Sequence, residues 1–211
     1  MPPAELVRFY FDPICPWCYQ TSRWIRRLAE LGFVEVDWAV LSLAVTNAGS
    51  QETSAEGHDR SERALRTAVA VRKRYGYQAV GEFYAHFGRR VHERGEPLDE
   101  PATVEAALAD AGLDPALCEK AMSDDGTMRA VEAEHRALVE RHPELRPAMG
   151  VPTIVLDGGE GPAMFGPVIS TMPSDDDAVE LWRHTSWLVR HEAFAELKRD
   201  RTDVTDLESV R

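Results

Sequence analysis

The first apolar run of the chain reads as a strand. Glu5 to Asp12 alternates and then fills with Val7, Phe9, Tyr10 and Phe11, the pattern of a buried strand. Asp12-Pro13 breaks it. Trp24, Ile25, Leu28 and Leu31 then share one helical face, and Gly32 supplies a stop. Val34 to Leu43 returns to strand alternation, with Val34, Val36, Trp38 and Val40 set against Glu35 and Asp37. Strand, helix and strand in this order predict a right-handed crossover and a parallel pair.

After this opening the period changes. Asn47 to Asp59 is polar and contains Gly and Ser, so it reads as a linker. Five helices are expected beyond it. Ala64, Leu65, Ala68, Val69 and Arg72 mark the first, which stops near Gly76. Val80, Phe83, Tyr84, Phe87 and Val91 form a stripe on the second, which ends near Gly95. Val104, Ala107, Leu108 and Ala111 mark the third, and Asp114-Pro115 opens a short fourth through Leu117, Cys118, Ala121 and Met122. Met128, Val131, His135 and Leu138 define the fifth, closed by His142-Pro143. No repeat period runs through the block. Strand signals return at Val151 to Leu156 and at Ala163 to Phe165, around a turn-rich Asp157 to Pro162. Asp175 is the expected cap of a final helix carrying Val179, Leu181, Trp182, Leu188 and Val189. The polar tail after Arg199 is expected to fray.

Composition narrows the class. The 211 residues are 44% hydrophobic, enough for a sizeable core, and their formal net charge of -12 disfavours binding to nucleic acid or anionic membrane. The N-terminal stretch lacks a basic region followed by an apolar run, and no uninterrupted apolar segment reaches transmembrane length. A soluble cytoplasmic enzyme is the expectation. Three cysteines are too few and too unevenly placed for a disulfide-stapled scaffold.

Two of those cysteines carry the chemistry. Cys15-Pro16-Trp17-Cys18 stands where the first helix begins, and Pro16 suits a first helical turn. Thiols spaced this way lie one turn apart, and the unpaired N–H groups of a helix start favour a thiolate at the first. Cys15 is therefore the candidate nucleophile and Cys18 the resolving thiol. Trp17 either stacks an aromatic substrate or packs against the helical insertion. Asp12 is either a turn residue ahead of Pro13 or a charge that raises the pKa of the thiols. Half of a zinc site is the competing reading of the pair, but Cys118 stands alone and the seven histidines are scattered, so no metal is expected. Cys118 and His135 fall on apolar helix faces and read as core residues, whereas His92 is a candidate for the active-site rim. Gly150-Val151-Pro152-Thr153 precedes the late strand; a cis Val151-Pro152 bond would bring backbone beside Cys15, but spacing alone leaves the isomer open. The expected fold is α/β, a thioredoxin-like fold with an inserted all-helical domain. Residues 1–47 and 148–200 would form the discontinuous thioredoxin-like domain, and 48–147 the insertion.

Three stretches carry a family resemblance: FYFDPICPWCYQTSRWI near the start, SLAVTN after the second strand, and GVPTIVLDG, FGPVIS and LW towards the end. In this order, the chain resembles the DsbA-like branch of the thioredoxin superfamily, and within it the actinobacterial mycothiol-dependent nitroreductases. That resemblance implies a cis Val151-Pro152 bond and a helical insertion acting as a lid over the thiols. It also implies mycothiol as thiol co-substrate, no tightly bound cofactor, and a cytoplasmic homodimer. Asn47 and His92 align with a pocket asparagine and a pocket histidine. Partners would be mycothiol or a mycoredoxin-type reductant, with a small-molecule or protein disulfide, or a small electrophile such as a nitroaromatic, as substrate. The turn Asp157-Gly158-Gly159-Glu160-Gly161-Pro162 and much of the insertion depart from the family. Two other functions fit the same layout. One is a relative of the 2-hydroxychromene-2-carboxylate isomerases and kappa-type glutathione transferases, for which Cys18 would be superfluous. The other is a non-catalytic redox-sensing module that holds a partner strand by backbone pairing.

Overall fold

The computed structural model describes residues 3–48, 57–148, 150–198 and Leu207. At its centre is a four-stranded sheet in the order β2-β1-β3-β4, built from β1 (Glu5–Phe11), β2 (Val34–Val40), β3 (Thr153–Val155) and β4 (Ala163–Phe165). β1 and β2 run parallel with Glu5 opposite Val34 and Phe11 opposite Val40, joined by α1 (Pro16–Glu30). β3 lies antiparallel to β1, with Phe9 opposite Ile154, and β4 antiparallel to β3. The β-branched and aromatic residues that alternated in the sequence are those in the core: Val7, Phe9 and Phe11 are fully buried.

Between β2 and β3 the described residues are helical: α2 (Leu43–Thr46), α3 (Glu62–Tyr75), α4 (Tyr77–Gly88), α5 (Pro101–Asp110), α6 (Leu117–Ser123) and α7 (Asp125–Arg141), joined by short tighter turns. Their apolar faces, including Leu65, Phe83, Phe87, Val104, Leu108, Val131 and Leu138, join the sheet residues in one continuous core. Arg66 of α3 ties the block together. Its guanidinium donates to Thr127 Oγ1 at 2.9 Å and to the Ala121, Met122 and Asp124 carbonyls, where α6 ends and α7 begins. The architecture is α/β, a thioredoxin-like sheet with an inserted helical block. α8 (Asp175–Arg190) packs on α1 through Trp24 and Trp182, 6.1 Å between ring centroids, and the Trp24 indole donates to the Ala178 carbonyl at 3.2 Å.

The chain departs from its sequence pattern in four places. The second strand ends at Val40, and Leu43–Thr46 turns into α2 because Ser42 caps it, accepting from the Val45 N–H at 3.3 Å. The second long helix changes to a single π-turn at Arg89–Glu93 rather than running on to Gly95. The late strand is confined to Thr153–Val155, since Pro152 has no N–H for the ladder. The cap of α8 is Ser174, not Asp175: its hydroxyl accepts from the Asp177 N–H, which leaves Asp175 in the first turn. Most of the expected linker and of the polar tail, residues 49–56, 199–206 and 208–211, lies outside the described residues.

Helix α4 meets the sheet and α1 at two glycines. A Cβ on Gly81 would stand 2.5 Å from Trp38 Nε1, and one on Gly88 would stand 2.1 Å from Cδ2 of Tyr19. Tyr19 is buried and cannot move aside cheaply. Gly88→Ala is therefore expected to destabilise the protein by about 1–3 kcal/mol, the usual effect of overpacking a core. Urea denaturation measures it, and an unchanged midpoint would contradict this packing.

Candidate active site

The site is assembled by the turn that follows β1. Asp12 is fully buried, and its carboxylate accepts from the Ile14 N–H at 3.1 Å and the Leu43 N–H at 2.7 Å. One side chain thus shapes the turn and fastens α2 to it. The turn closes with the Cys15 N–H donating to the Asp12 carbonyl at 3.1 Å. From the helical block, His92 reaches the Pro13 carbonyl with Nε2 at 2.9 Å. A carbonyl can only accept, so this nitrogen carries the proton. The imidazole also stacks on Tyr19, 5.3 Å between centroids and 25° between planes, and the Tyr19 hydroxyl donates to Glu93 at 2.6 Å.

Cys15 occupies the N-cap position of α1 in extended conformation, with Pro16 as the first helical residue and no acidic side chain in the first turn. It is partly exposed, and its thiol lies 3.9 Å from the Val151 carbonyl as donor. The Val151–Pro152 peptide is cis. One turn on, Cys18 is fully buried and its thiol points to the Tyr10 carbonyl at 3.8 Å. Burial pushes the Cys18 pKa well above the usual thiol value, and negative charge on Cys15 pushes it further. Neither sulfur is in a disulfide. The two sulfurs of one motif therefore have distinct surroundings: one at the open start of a helix, where anions are favoured, and one in a dry interior.

The structure brings Cys15, Cys18, Val151 and Pro152 together and supports them from beneath with His92. His92 does not form an exposed rim. The π-turn aims it inward, leaving 6% of its surface exposed. Pro16 and Trp17 are half-buried beside the thiols, with Trp17 packed on the core. Asn47 ends α2 and is connected to the turn through the Leu43–Asp12 bond. Cys118 is buried on α6 within the helical block. Among the described residues, no group of three or more His, Cys, Asp or Glu is placed to hold a metal ion, and no helix is long and apolar enough to cross a membrane. A cleft of about 440 Å³ lies beside Arg8, Tyr10, Arg141 and His142, and neither Cys15 nor Cys18 lines it. Tyr19, Glu93 and Tyr84 belong to the site's surroundings but carried no separate signal, since an aromatic residue on a helical stripe reads simply as core.

Comparison with known proteins decides the family. The profile described as Rv2466c-like, mycothiol-dependent nitroreductase Rv2466c, matches residues 14–199. The chain belongs to this family. As a member of the Rv2466c-like family it is similar to the uncharacterized Mycobacterium tuberculosis protein Rv2286c, 31% identical over 198 residues, covering 93% of this chain and 82% of that one. The family member also shares its fold with a 2-hydroxychromene-2-carboxylate isomerase, with a TM-score of 0.61 at 16% identity over 91% of this chain and all of that one. A further structural neighbour is the cytosolic disulfide reductase DsbM of Pseudomonas aeruginosa solved with GSH, with a TM-score of 0.59 at 18% identity over 86% of this chain and 99% of that one. The CPWC turn and the GVPT turn both fall inside the matched residues.

The buried imidazole gives this Rv2466c-like protein an acid-sensitive point. Loss of hydration lowers the His92 pKa from 6.5 to about 4, against the opposing pull of the Pro13 carbonyl. In the unfolded chain the ring titrates near 6.5, so on acidification from that value the unfolded state takes up a proton that the folded state refuses. Stability is intact above this window and falls as the pH drops through it. His92→Gln keeps an amide donor for Pro13 but does not titrate. It is expected to lose about 2 kcal/mol less than the parent protein between neutral pH and pH ~4.5. Parallel denaturation curves at the two pH values check this, and equal losses would contradict it.

Proposed function

We propose that the protein is a thiol-disulfide oxidoreductase that draws electrons from mycothiol and reduces disulfides or small electrophiles such as nitroaromatics. The observation that carries the reading is the pairing of an accessible Cys15 at a helix start, against the Val151 carbonyl, with a buried Cys18 one turn beyond. Cys15 attacks a disulfide sulfur, the old S–S bond breaks, and the partner leaves as a thiolate that takes up a proton. Cys18 then attacks Cys15, forming the internal disulfide and releasing the second thiol. Two mycothiols return the pair to the dithiol, becoming mycothiol disulfide. With an electrophile, the dithiol supplies two electrons and two protons and becomes the internal disulfide.

Pro16, Trp17, Asn47, Val151 and Pro152 shape the entry to the sulfur in this reading, and His92 holds the turn that carries it. Residues 1–47 and 148–200 carry the redox centre, with 48–147 as its helical cover. Within that cover α4 is the fixed side, because Tyr84 stacks on Phe11. Mycothiol is a diffusing co-substrate, and the working form is a cytoplasmic homodimer. The isomerase among the structural neighbours shares the fold alone, and a second thiol in the dry position has no task in an isomerisation.

The cysteine variants test the reading. Cys15→Ser is expected to reduce mycothiol-coupled turnover to background. Cys18→Ser should instead accumulate one mycothiol adduct on Cys15, seen by intact-protein mass spectrometry, while the parent protein accumulates none. Full turnover in Cys15→Ser, or no adduct in Cys18→Ser, would refute the mechanism.

A further inference from the structure

Tyr84 lies in the middle of α4 and is fully buried. Its ring is held on three sides: flat against Phe11, with centroids 3.9 Å apart and 16° between planes, and near Tyr19 at 6.2 Å and Trp38 at 6.1 Å. The hydroxyl at its end has no hydrogen-bond partner. Phenylalanine would give the same stacking without burying an unpaired O–H, so the hydroxyl needs a reason to be there. It faces Cys18, close enough for each group to act on the other's titration. The resting thiol has committed its proton to the Tyr10 carbonyl and is a weak acceptor, so the contact with Tyr84 falls short of a full hydrogen bond; a thiolate would be a strong acceptor.

We propose that the Tyr84 hydroxyl is the hydrogen-bond donor that Cys18 gains as it becomes a thiolate and resolves the mixed disulfide on Cys15. This rests on the two-cysteine reading above and names the group that lets its second step run in a dry interior.

In that step the Cys18 sulfur bonds to Cys15 Sγ while the bond from Cys15 to the partner's sulfur breaks. The electron pair leaves with the partner's sulfur, which takes up the proton that Cys18 gave. Burial first, the charge of Cys15 second and the charge of Asp12 last hold Cys18 protonated in the dithiol. Once Cys15 is bound in a mixed disulfide it carries no charge, so burial is the main influence left to be offset, with Asp12 the lesser one. The other charged groups facing this pair do not serve. Asp12 is negative, and Arg26 lies over the Trp38 ring at 4.0 Å and donates to the Gly81 carbonyl. Tyr84 keeps its own proton throughout, since burial and the neighbouring sulfurs raise its pKa well above that of an ordinary phenol. It acts as a donor and not as a base.

The test uses the aromatic disulfide DTNB with the full chain. Reaction at Cys15 releases a first thionitrobenzoate, and resolution by Cys18 releases a second, so stopped-flow absorbance separates the two steps. Tyr84→Phe is expected to leave the first phase unchanged, to slow the second about tenfold, and to move its pH midpoint upward. Its melting temperature should equal or exceed that of the parent. In a Cys15→Ser background, adding Tyr84→Phe should raise the Cys18 pKa by about one unit, read from thiolate absorbance. A second phase of unchanged rate and pH midpoint would overturn the proposal. A lowered melting temperature would also overturn it, because the hydroxyl would then be supporting the fold. If the parent protein itself released no second thionitrobenzoate, the two-cysteine reading would fail instead.

Discussion

One helix has to begin in the open and enter the core within a single turn, and the chemistry depends on that constraint. Cys15 sits at the N-cap of α1, where backbone N–H groups are left without helical partners, whereas Cys18 is already among the core residues. A dithiol in one environment would give two similar sulfurs. Here one is reachable at the start of a helix, and the other is dry and held protonated by burial. The proposed division of labour between attack and resolution rests on that difference.

The rest of the fold keeps this helix start in place. Asp12 fixes the turn from the α2 side, His92 fixes it through Pro13, and the 150–153 segment closes it through Val151. That last segment is itself anchored, with Thr153 Oγ1 donating to the Gly150 carbonyl at 2.8 Å and the Gly166 N–H donating to the Pro152 carbonyl at 2.8 Å. The inserted helices are therefore part of the site's wall rather than an appendage. α4 supplies Tyr84 and the close approach at Gly88, and the π-turn after it supplies His92. Sheet and insertion share a core, so a change far along the insertion reaches the thiols through packed aromatic rings.

Much of this was legible in the sequence because it rests on local pattern. The alternation of Val7, Phe9 and Phe11, the amphipathic face of α1 and the spacing of Cys15 and Cys18 are short-range signals that tertiary structure had no reason to override. The parts that were not legible depend on distant partners. α2 forms where the strand pattern runs on, because Asp12 and Ser42 satisfy its first N–H groups. His92 points inward because a π-turn shifts the helical phase, which a regular period does not predict. Tyr84 lies on a stripe shared with Phe83 and Phe87, and only the fold reveals that its hydroxyl, not its ring, is the unusual feature. Family resemblance supplied what neither period nor spacing could, the expectation of a thiol co-substrate and of a lid.

The account stands on the difference between the two sulfurs of the motif, and their reactivity can be read directly. Reduced protein treated with limiting iodoacetamide at neutral pH, digested and mapped by mass spectrometry, is expected to carry the label on Cys15, with Cys18 and Cys118 unmodified. Label shared evenly between Cys15 and Cys18 would contradict it.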